Sequence, residues 1–241
     1  MKTHDLISMA RKQKRMALDE LAGKQLLAAH GVAVPKAVIV PGAAEVESAL
    51  AGLRPPLVVK VISPDILHKS DVGGVRVNLK TAGDVEDAIK EMMRQPAIAA
   101  ARIDGFLIEE MAPAGQEMVV GGLRDAQFGP LLMVGLGGIF VEVLADVAFR
   151  ICPVTRLDAE EMIDELRGAA ILKGVRGGKP VSREAIIETL LKVGGEDGLL
   201  MRHADDIRET DINPLIVSET GAVAVDARFI LTESRSEGVK E

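Results

Sequence analysis

The alternation of apolar and polar positions predicts short strands mixed with amphipathic helices. Apolar residues recur at helical spacing from residue 6 to residue 30, and Gly31 stands where helices commonly end. Runs of β-branched residues predict the strands. The predicted strands are PKAVIVP, PLVVKVI, 75–79, GFLIEEM at 105–111, 117–123, 131–135, 147–151, PLIV and AVAV. The other predicted helices cover 43–52, 84–95, a stretch capped by Asp158 with Glu161, and 182–191.

These elements do not follow the strict strand–helix–strand alternation of a parallel α/β fold. The chain also lacks the GxGxxG turn of a dinucleotide-binding fold. The order of elements therefore favours an α+β protein with two lobes, which meet near residues 105–117. No internal repeat is visible, and the charged segment SRSEGVKE is expected to fray.

One predicted strand carries a charge within an apolar run. Residues 58–77 read VVKVISPDILHKSDVGGVRV, where Lys60 interrupts a series of β-branched residues. An ammonium group that faces a core needs a partner or a shifted pKa. The stretch therefore indicates either an exposed strand face or a cleft that holds an anion.

The loop after this strand places a histidine close to a pair of glycines. His68 opens the sequence HKSDVGG, which ends in Gly73 and Gly74. A neutral imidazole is a competent nucleophile toward phosphorus, and neighbouring cations and backbone N–H groups would stabilise a transferred phosphoryl group. The alternative is a structural role, which is commoner for a single loop histidine. The other histidines, expected to be structural or solvated, are His4, His30 and His203.

The sequence DINPLIVSETGAVAVDARF predicts a β-hairpin with one polar end. A three-residue loop over 219–221 would pair Pro214 with Asp226. Asp211, Asn213 and Asp226 would then converge at one end of the hairpin. Two carboxylates and an amide oxygen are hard ligands suited to Mg²⁺. The alternative is that Asp211 and Asn213 only shape the turn before Pro214.

A further candidate is the stretch GFLIEEMAPAGQEMVVGGL, a strand that runs into a Pro/Gly linker. Glu109 and Glu110 end the strand, and Glu117 follows the linker. Exposed backbone groups at such a junction can bind an adenine edge, and a nearby carboxylate can accept a ribose hydroxyl. The alternative is a solvated connector with surface acids. GLGGIFVE at 135–142 can likewise mark a tight turn or a close approach to a ligand.

Composition narrows the range of functions. A net charge of −7, a pI near 5.3 and 2% aromatic residues argue against a nucleic-acid-binding surface. A single cysteine, Cys152, excludes an intrachain disulfide and suits a reducing compartment. The longest apolar stretch, 130–149, contains Glu142, Asp146 and glycines, which makes it a poor membrane span. We therefore expect a soluble cytoplasmic protein with small-molecule substrates and no nucleic-acid or membrane partner.

Together these motifs resemble a known family. VVKVISPDILHKSDVGGV, LIEEMAPAGQE, GLGGIFVE and DINPLIV…AVAVDAR occur in the order found in the ATP-grasp subunit of nucleoside-diphosphate-forming acyl-CoA synthetases. The β subunit of ADP-forming acetyl-CoA synthetase resembles the chain most, and the β subunit of succinyl-CoA synthetase resembles it more distantly. The resemblance covers most of residues 15–231, and HKSDVGGV is its most specific element.

The resemblance implies an ATP-grasp fold in which a nucleotide binds between two α+β lobes. The implied smaller lobe is 22–109, the larger lobe is 1–21 with 110–231, and 232–241 is a charged tail. The implied nucleotide-binding residues are Lys60, Gly73, Gly74, Glu109, Glu110, Met111 and Glu117. By resemblance Lys60 contacts the phosphates, 109–111 form the adenine hinge, and Glu117 lies near the ribose. The implied Mg²⁺ ligands are Asn213 and Asp226, assisted by Asp211. His68 matches the histidine that accepts the phosphoryl group.

The reaction of the family is acyl-CoA + ADP + phosphate ⇌ carboxylic acid + CoA + ATP, with acyl phosphate and phosphohistidine as intermediates. The CoA-binding half of the family is not part of this sequence. The resemblance therefore implies either a separate CoA-binding α subunit, in a heterotetramer, or a fused domain. The chain alone is expected to perform the nucleotide half-reaction, with ATP or ADP and Mg²⁺.

Two other functions remain open from the sequence. An ATP-grasp carboxylate–amine ligase would pass through acyl phosphate without phosphohistidine, and His68 would then be dispensable. A nucleotide-sensing regulatory subunit would bind ATP without transferring a phosphoryl group to any partner.

Overall fold

The computed structural model describes residues 3–66, 68–138, 141, 143–174 and 179–233. The chain divides into two compact units. We call residues 35–112 the smaller unit, and residues 1–34 with 113–241 the larger unit. The predicted lobe boundary at residue 22 differs from this division, because Leu26 and Leu27 are fully buried in the hydrophobic core of the larger unit.

The smaller unit is an antiparallel sheet with helices on one face. Its strands, in chain order, are β1 (Ala37–Val40), β2 (Leu57–Ile62), β3 (Val75–Leu79) and β4 (Gly105–Glu110), arranged as β1-β4-β2-β3. Its helices are Ala43–Glu45, which is a 3₁₀ turn, then Val46–Ala49, Ala82–Met92 and Pro96–Ala99.

Local chemistry explains the longest helix of this unit. The Thr81 side chain accepts the N–H of Asp84, and Asp84 accepts the N–H of Thr81, so that a capping box begins the helix Ala82–Met92. Its buried residues recur at helical spacing and pack with Val59 and Val61 of β2 in one core. The sheet face that carries Val58 and Lys60 therefore lies opposite this core.

The larger unit is built on a longer antiparallel sheet. Its strands are β5 (Gln116–Asp125), β6 (Gly129–Leu136), β7 (Val147–Ile151), β8 (Ile207–Val217), β9 (Ala222–Ala224) and β10 (Arg228–Leu231). Their order is β10-β8-β5-β6-β7, and β9 pairs with β8. Its helices are Thr3–Lys12, Glu20–Ala29, Arg156–Glu165, Ala169–Lys173, which is a 3₁₀ helix, Arg183–Gly194 and Leu199–Arg202.

One face of this sheet is buried under helices, and the other carries candidate site residues. Met118 and Val120 of β5 belong to the core with Leu190 of the helix Arg183–Gly194. Because side chains alternate along a strand, Glu117 and Gly121 face the other way. Gly121 lies directly opposite Asp211 of β8, so Asp211 shares the face of Glu117.

The predicted helix over residues 6–30 is two helices. The first ends at Lys12, and Lys14 has a positive φ of 56°, which a continuing α-helix does not allow. Asp19 then begins a second helix by accepting the N–H of Ala22 at 2.9 Å. The apolar spacing alone did not reveal this interruption, because both helices bury the same kind of face.

Of two predicted helix caps, one is wrong and one is confirmed. The predicted cap Asp158 is wrong, because Thr155 caps the helix Arg156–Glu165 and Asp158 is the partner of Thr155 in a capping box. Ser182 is confirmed as the cap of the helix Arg183–Gly194, since its hydroxyl accepts the N–H of Ala185 at 3.2 Å. The strand Arg228–Leu231 was not predicted.

The hairpin near the C-terminus has a different register from the predicted one. Val217 pairs with Ala222, and the Ser218 N–H donates to the Gly221 carbonyl at 2.8 Å, so the turn is one residue shorter than predicted. Asn213 rather than Pro214 therefore lies opposite Asp226. No helix among the described residues is long and apolar enough to cross a membrane.

Candidate functional site

Lys60 and Glu109 form a buried ion pair in the smaller unit. Lys60 is 5% exposed and Glu109 is 1% exposed, and Lys60 Nζ lies 2.9 Å from Glu109 Oε1. Glu109 pairs with Val58 across β4 and β2, so its side chain is diagonal to Lys60 on the same sheet face. The lysine that interrupts the apolar strand thus has a carboxylate partner, and the two predicted site residues are brought together.

The other predicted hinge residues are also held within the smaller unit. The Glu110 carboxylate accepts the Arg54 backbone N–H at 3.1 Å and a guanidinium N–H at 3.3 Å. The hydrogen bond from the Arg54 side chain lowers the pKa of Glu110. The Glu110 N–H donates to the Lys36 carbonyl, and the Met111 N–H donates to the Pro56 carbonyl, both at 2.9 Å. These two N–H groups are therefore engaged and do not point to an adenine edge, contrary to the expectation.

His68 is an exposed side chain on the loop between β2 and β3. The loop is held before the histidine, where the Asp65 carboxylate accepts the N–H of Arg102 at 2.8 Å. It is held again after the histidine, where the Gly74 carbonyl accepts the Val61 N–H of β2 at 2.9 Å and the Gly74 N–H donates to the Lys69 carbonyl at 2.7 Å. Leu67 lies outside the described residues. The imidazole is thus presented to solvent between two anchored points.

The two glycines shape the second anchor. Gly73 has a φ of 71°, a conformation that favours glycine. A Cβ on Gly74 would lie 2.6 Å from a methyl group of Val61, so a side chain does not fit there. The Gly73 N–H donates to the Ser70 carbonyl at 3.1 Å. Both glycine N–H groups are therefore used inside the turn, rather than being directed at a phosphate as the sequence suggested.

The three predicted metal ligands meet in the larger unit. The Asn213 N–H donates to the Asp226 carbonyl at 3.3 Å, and the Val225 N–H donates to the Pro214 carbonyl at 3.0 Å. Asp211 lies two residues before Asn213 on β8 and pairs with Arg228, which is two residues after Asp226. The backbone pairing therefore places the three residues near one end of the hairpin, by a register that differs from the predicted one.

The electrostatics of this end suit a cation. Burial raises the pKa of Asp211, and the carboxylates of Asp226 and Glu209 raise it further, whereas Arg228 lowers it. A raised pKa means that the ionised form is disfavoured, so a bound cation would relieve the repulsion between the carboxylates. Among the described residues no group of three or more His, Cys, Asp or Glu could hold a metal ion. The donor set of two carboxylates and an amide oxygen nevertheless fits Mg²⁺, which binds few protein groups.

Glu117 is exposed at the start of β5, and it pairs with Ile216 of β8. Its backbone carbonyl accepts the Gly137 N–H at 2.8 Å, and a Cβ on Gly137 would lie 2.9 Å from the Cβ of Glu117. The first glycine after β6 therefore lets the chain pass directly beside Glu117. The remainder of GLGGIFVE at 139–140 and 142 lies outside the described residues.

Sequence reasoning missed three residues that hold these groups in place. Arg54 binds Glu110, and Asp65 anchors the loop before His68. Arg76 donates to the Gly73 carbonyl at 2.8 Å and supports the glycine turn. Sequence analysis assigned no role to any of the three, because their partners are identified only by the fold.

Comparison with known proteins shows the family of the chain. The ATP-grasp domain family matches residues 9–231. The β subunit of ADP-forming acetate–CoA ligase I from Pyrococcus furiosus is 41% identical over 232 residues, which is 95% of this chain and 98% of that protein. The ADP-forming acetate–CoA ligase I of Archaeoglobus fulgidus is 42% identical over 88% of this chain, but the match spans 30% of that protein.

A solved structure is similar over nearly the whole chain. Acetyl-coenzyme A synthetase 1 of Ca. Korarchaeum cryptofilum, in complex with coenzyme A and Mg-AMPPCP, superimposes with a TM-score of 0.83 at 38% identity. The match covers 96% of this chain and 100% of that chain, in which a phosphohistidine segment points towards the nucleotide-binding site. The chain therefore belongs to the ATP-grasp family, as a homologue of the β subunits of ADP-forming acetyl-CoA synthetases.

Proposed function

We propose that this chain is the nucleotide-binding subunit of an ADP-forming acyl-CoA synthetase, in which His68 carries a phosphoryl group between a partner subunit and ADP. The observation that carries the proposal is the exposed His68, which lies between an anchor at Asp65 and an anchor at Gly74. A nucleophile that serves two sites must be accessible and must keep its loop attached to the protein. In-line transfer requires reacting atoms within about 3–3.5 Å.

His68 would act as a transient carrier of the phosphoryl group. A neutral imidazole nitrogen attacks the phosphorus of the donor, an N–P bond forms, and the bond from phosphorus to its former carrier breaks. A terminal oxygen of the ADP β-phosphate then attacks the same phosphorus, an O–P bond forms, and the N–P bond breaks. ATP leaves and the imidazole is regenerated. The phosphohistidine segment of the Korarchaeum enzyme supports this assignment.

The smaller unit would bind the phosphates and the base. Lys60 supplies a cation, and Glu109 holds the ammonium group at 2.9 Å so that its position is defined before a nucleotide arrives. Glu110 and Met111 mark the hinge, with backbone contact to the adenine coming from carbonyl groups or from Ala112, since their own N–H groups are engaged. Gly73 and Gly74 would contribute by holding the loop turn beside the phosphates.

The larger unit would contribute Glu117 to the ribose and three oxygen ligands to the metal. Asn213 and Asp226 would hold Mg²⁺, with Asp211 assisting. Bound Mg²⁺ neutralises phosphate charge and fixes the orientation of the transferred group. The two carboxylates repel each other in its absence, as the raised pKa of Asp211 indicates.

A CoA-binding partner is part of the proposal. The Pyrococcus relative is a β subunit that this chain matches over nearly its full length, whereas the Archaeoglobus relative is a longer protein. The acyl and CoA chemistry would thus reside on an α subunit or a further domain, and we propose a heterotetramer. Cys152 is an unpaired, buried cysteine, which suits the reducing cytoplasm.

Phosphorylation of His68 tests the proposal. The chain and its co-purified partner are incubated with γ-labelled ATP, and the subunits are then separated. We expect an acid-labile, base-stable label on this chain, which is absent in His68→Ala, while nucleotide binding is retained. His4→Ala is the matched control and should keep the label. A His68→Ala complex with normal label and normal turnover would show that the loop is structural.

A further inference from the structure

The connector that carries Asp226 is held from two sides. Residues 225–227 link β9 to β10, and they are hydrogen-bonded to Asn213 and Pro214 of β8. Asp226 Oδ1 also accepts the N–H of Ala227 at 2.8 Å, so the position of Ala227 bears directly on the carboxylate. These contacts hold the connector on one side. Its opposite side contacts a segment that is far away in sequence.

The segment 16–33 is hydrogen-bonded to the chain on both sides of the same connector. The Ala224 N–H donates to the Ala33 carbonyl at 2.9 Å, just before Asp226. The Leu18 N–H donates to the Phe229 carbonyl at 3.0 Å, and the Leu231 N–H donates to the Met16 carbonyl at 2.8 Å. The N-terminal part of the chain therefore flanks Asp226 with hydrogen bonds on both sides.

Between these bonds the helix Glu20–Ala29 touches the connector through Gly23. A Cβ on Gly23 would lie 2.8 Å from the Ala227 carbonyl oxygen and 3.1 Å from the Phe229 ring. Any shift of the Ala227 backbone away from Gly23 would strain the hydrogen bonds that its neighbours make to β8 and to the segment 16–33. Gly23 is a helix-interior glycine, and glycine has a lower helix propensity than alanine. The close contact gives a reason for the glycine at this position.

The helix Glu20–Ala29 is itself held in place by several contacts. Asp19 caps its first turn by accepting the Ala22 N–H. Lys24, next to Gly23, is 1% exposed and lies 2.9 Å from the carboxylate of Glu20. At the other end His30 Nε2 lies 3.2 Å from His203 Nε2. A displacement at the Gly23 contact would therefore be taken up by the connector rather than by the helix.

We infer that Gly23 is a positioning residue for the Asp226 carboxylate. The contact of Ala227 with this glycine sets the orientation in which Asp226 binds a divalent cation. The inference rests on the proposed Mg²⁺ site. It extends that site to a helix that contains no ligand and that no motif of the nucleotide site includes. Residues that orient ligands typically change metal affinity about 10–100-fold when they are altered.

The test measures how Mg²⁺ supports ADP binding by the complete chain. Gly23→Ala and Gly23→Val insert one and three carbons at the contact. We expect the Mg²⁺ concentration for half-maximal ADP binding, measured by titration calorimetry, to rise about tenfold and to rise more for valine than for alanine. Binding of ADP without Mg²⁺ should not change. A merely structural role would lower the melting temperature and leave the Mg²⁺ requirement as it was.

Gly83→Ala is the matched control. Gly83 also lies in a helix, but the nearest atom to its added Cβ is 3.8 Å away, so the Mg²⁺ requirement should be that of the wild type. Ala227→Gly is a second probe, which loosens the connector without adding an atom, and it should raise the Mg²⁺ requirement as well. It remains informative if the valine variant does not fold.

Asp226→Asn separates the two levels of the hypothesis. If Asp226→Asn leaves the Mg²⁺ requirement unchanged, the proposed metal site is wrong, and the role of Gly23 falls with it. If Asp226→Asn raises the requirement while the folded Gly23 variants and Ala227→Gly match the wild type, the metal site stands and the positioning role is overturned.

Discussion

The ammonium group of Lys60 lies 2.9 Å from the Glu109 carboxylate, and both side chains are buried in the smaller unit. The pair joins two residues that the sequence assigned to different parts of a nucleotide site. Removing one member of a buried ion pair typically costs about 3–5 kcal/mol, whereas replacing both by apolar residues is often close to neutral. Stability and nucleotide binding at this pair can therefore be separated by mutation.

Lys60→Met should lower both the free energy of unfolding and the affinity for ADP, because it removes the cation beside Glu109 and beside the phosphates. The double variant Lys60→Met/Glu109→Leu should recover most of the stability and none of the affinity. Urea denaturation and titration calorimetry measure the two quantities. Recovery of ADP affinity in the double variant would show that Lys60 does not contact the nucleotide.

Asp211→Asn should stabilise the folded chain in the absence of Mg²⁺ but weaken its affinity for Mg²⁺. Its pKa is raised by burial and by the neighbouring carboxylates, so the ionised side chain is a cost to the folded chain at neutral pH. The asparagine variant should melt at a higher temperature without Mg²⁺ and should need about tenfold more Mg²⁺ to bind ADP. Thermal melting with and without Mg²⁺ measures both effects. A lower melting temperature in the absence of metal would contradict this description of the site.

The purified chain should lack acyl-CoA synthetase activity and gain it when a CoA-binding α subunit is added. The reason is that residues 9–231 match an ATP-grasp domain, to which the proposal assigns only the nucleotide half-reaction. ATP formation from acetyl-CoA, ADP and phosphate is the measurement, with each subunit alone as the control. Full turnover by this chain alone would refute the assignment of the acyl and CoA chemistry to a partner.

The stability of the larger unit should fall as the pH is lowered from about 6.5 to about 4. Burial lowers the pKa of His30 to about 4, and His203 and Arg202 add to the effect. The pKa of His203 is also lowered, mainly by burial, with Asp206 opposing and His4 and Arg202 assisting. In this window the unfolded chain takes up protons that the folded chain does not, so acid favours unfolding, and above it the effect vanishes.

His30→Gln should flatten this part of the stability profile. Urea midpoints measured across the pH window for the wild type and the variant give the difference, in which the titration of carboxylates cancels. His68→Gln is the matched control, since it makes the same substitution at an exposed histidine. An identical slope in the His30 variant would mean that the His30–His203 contact is not maintained in solution.

The sequence alone determined the features that depend on neighbouring residues. The strand Leu57–Ile62 and the cap at Ser182 follow from a β-branched run and from the hydrogen bond that a serine makes to its own helix. The order of the motifs also indicated the family, and the match of residues 9–231 to the ATP-grasp domain family confirms it.

Only the tertiary structure decided which distant residues meet. The partner of Lys60, the register that places Asn213 opposite Asp226, and the contact of Gly23 with Ala227 each join positions on different elements. A strand pattern specifies which face of a strand is apolar, but turn geometry and packing choose the pairing. The break between the first two helices is of the same kind, since Met16 and Leu18, just before Asp19, are hydrogen-bonded to β10. Such pairings are set by the free energy of the whole fold, so local sequence cannot reveal them.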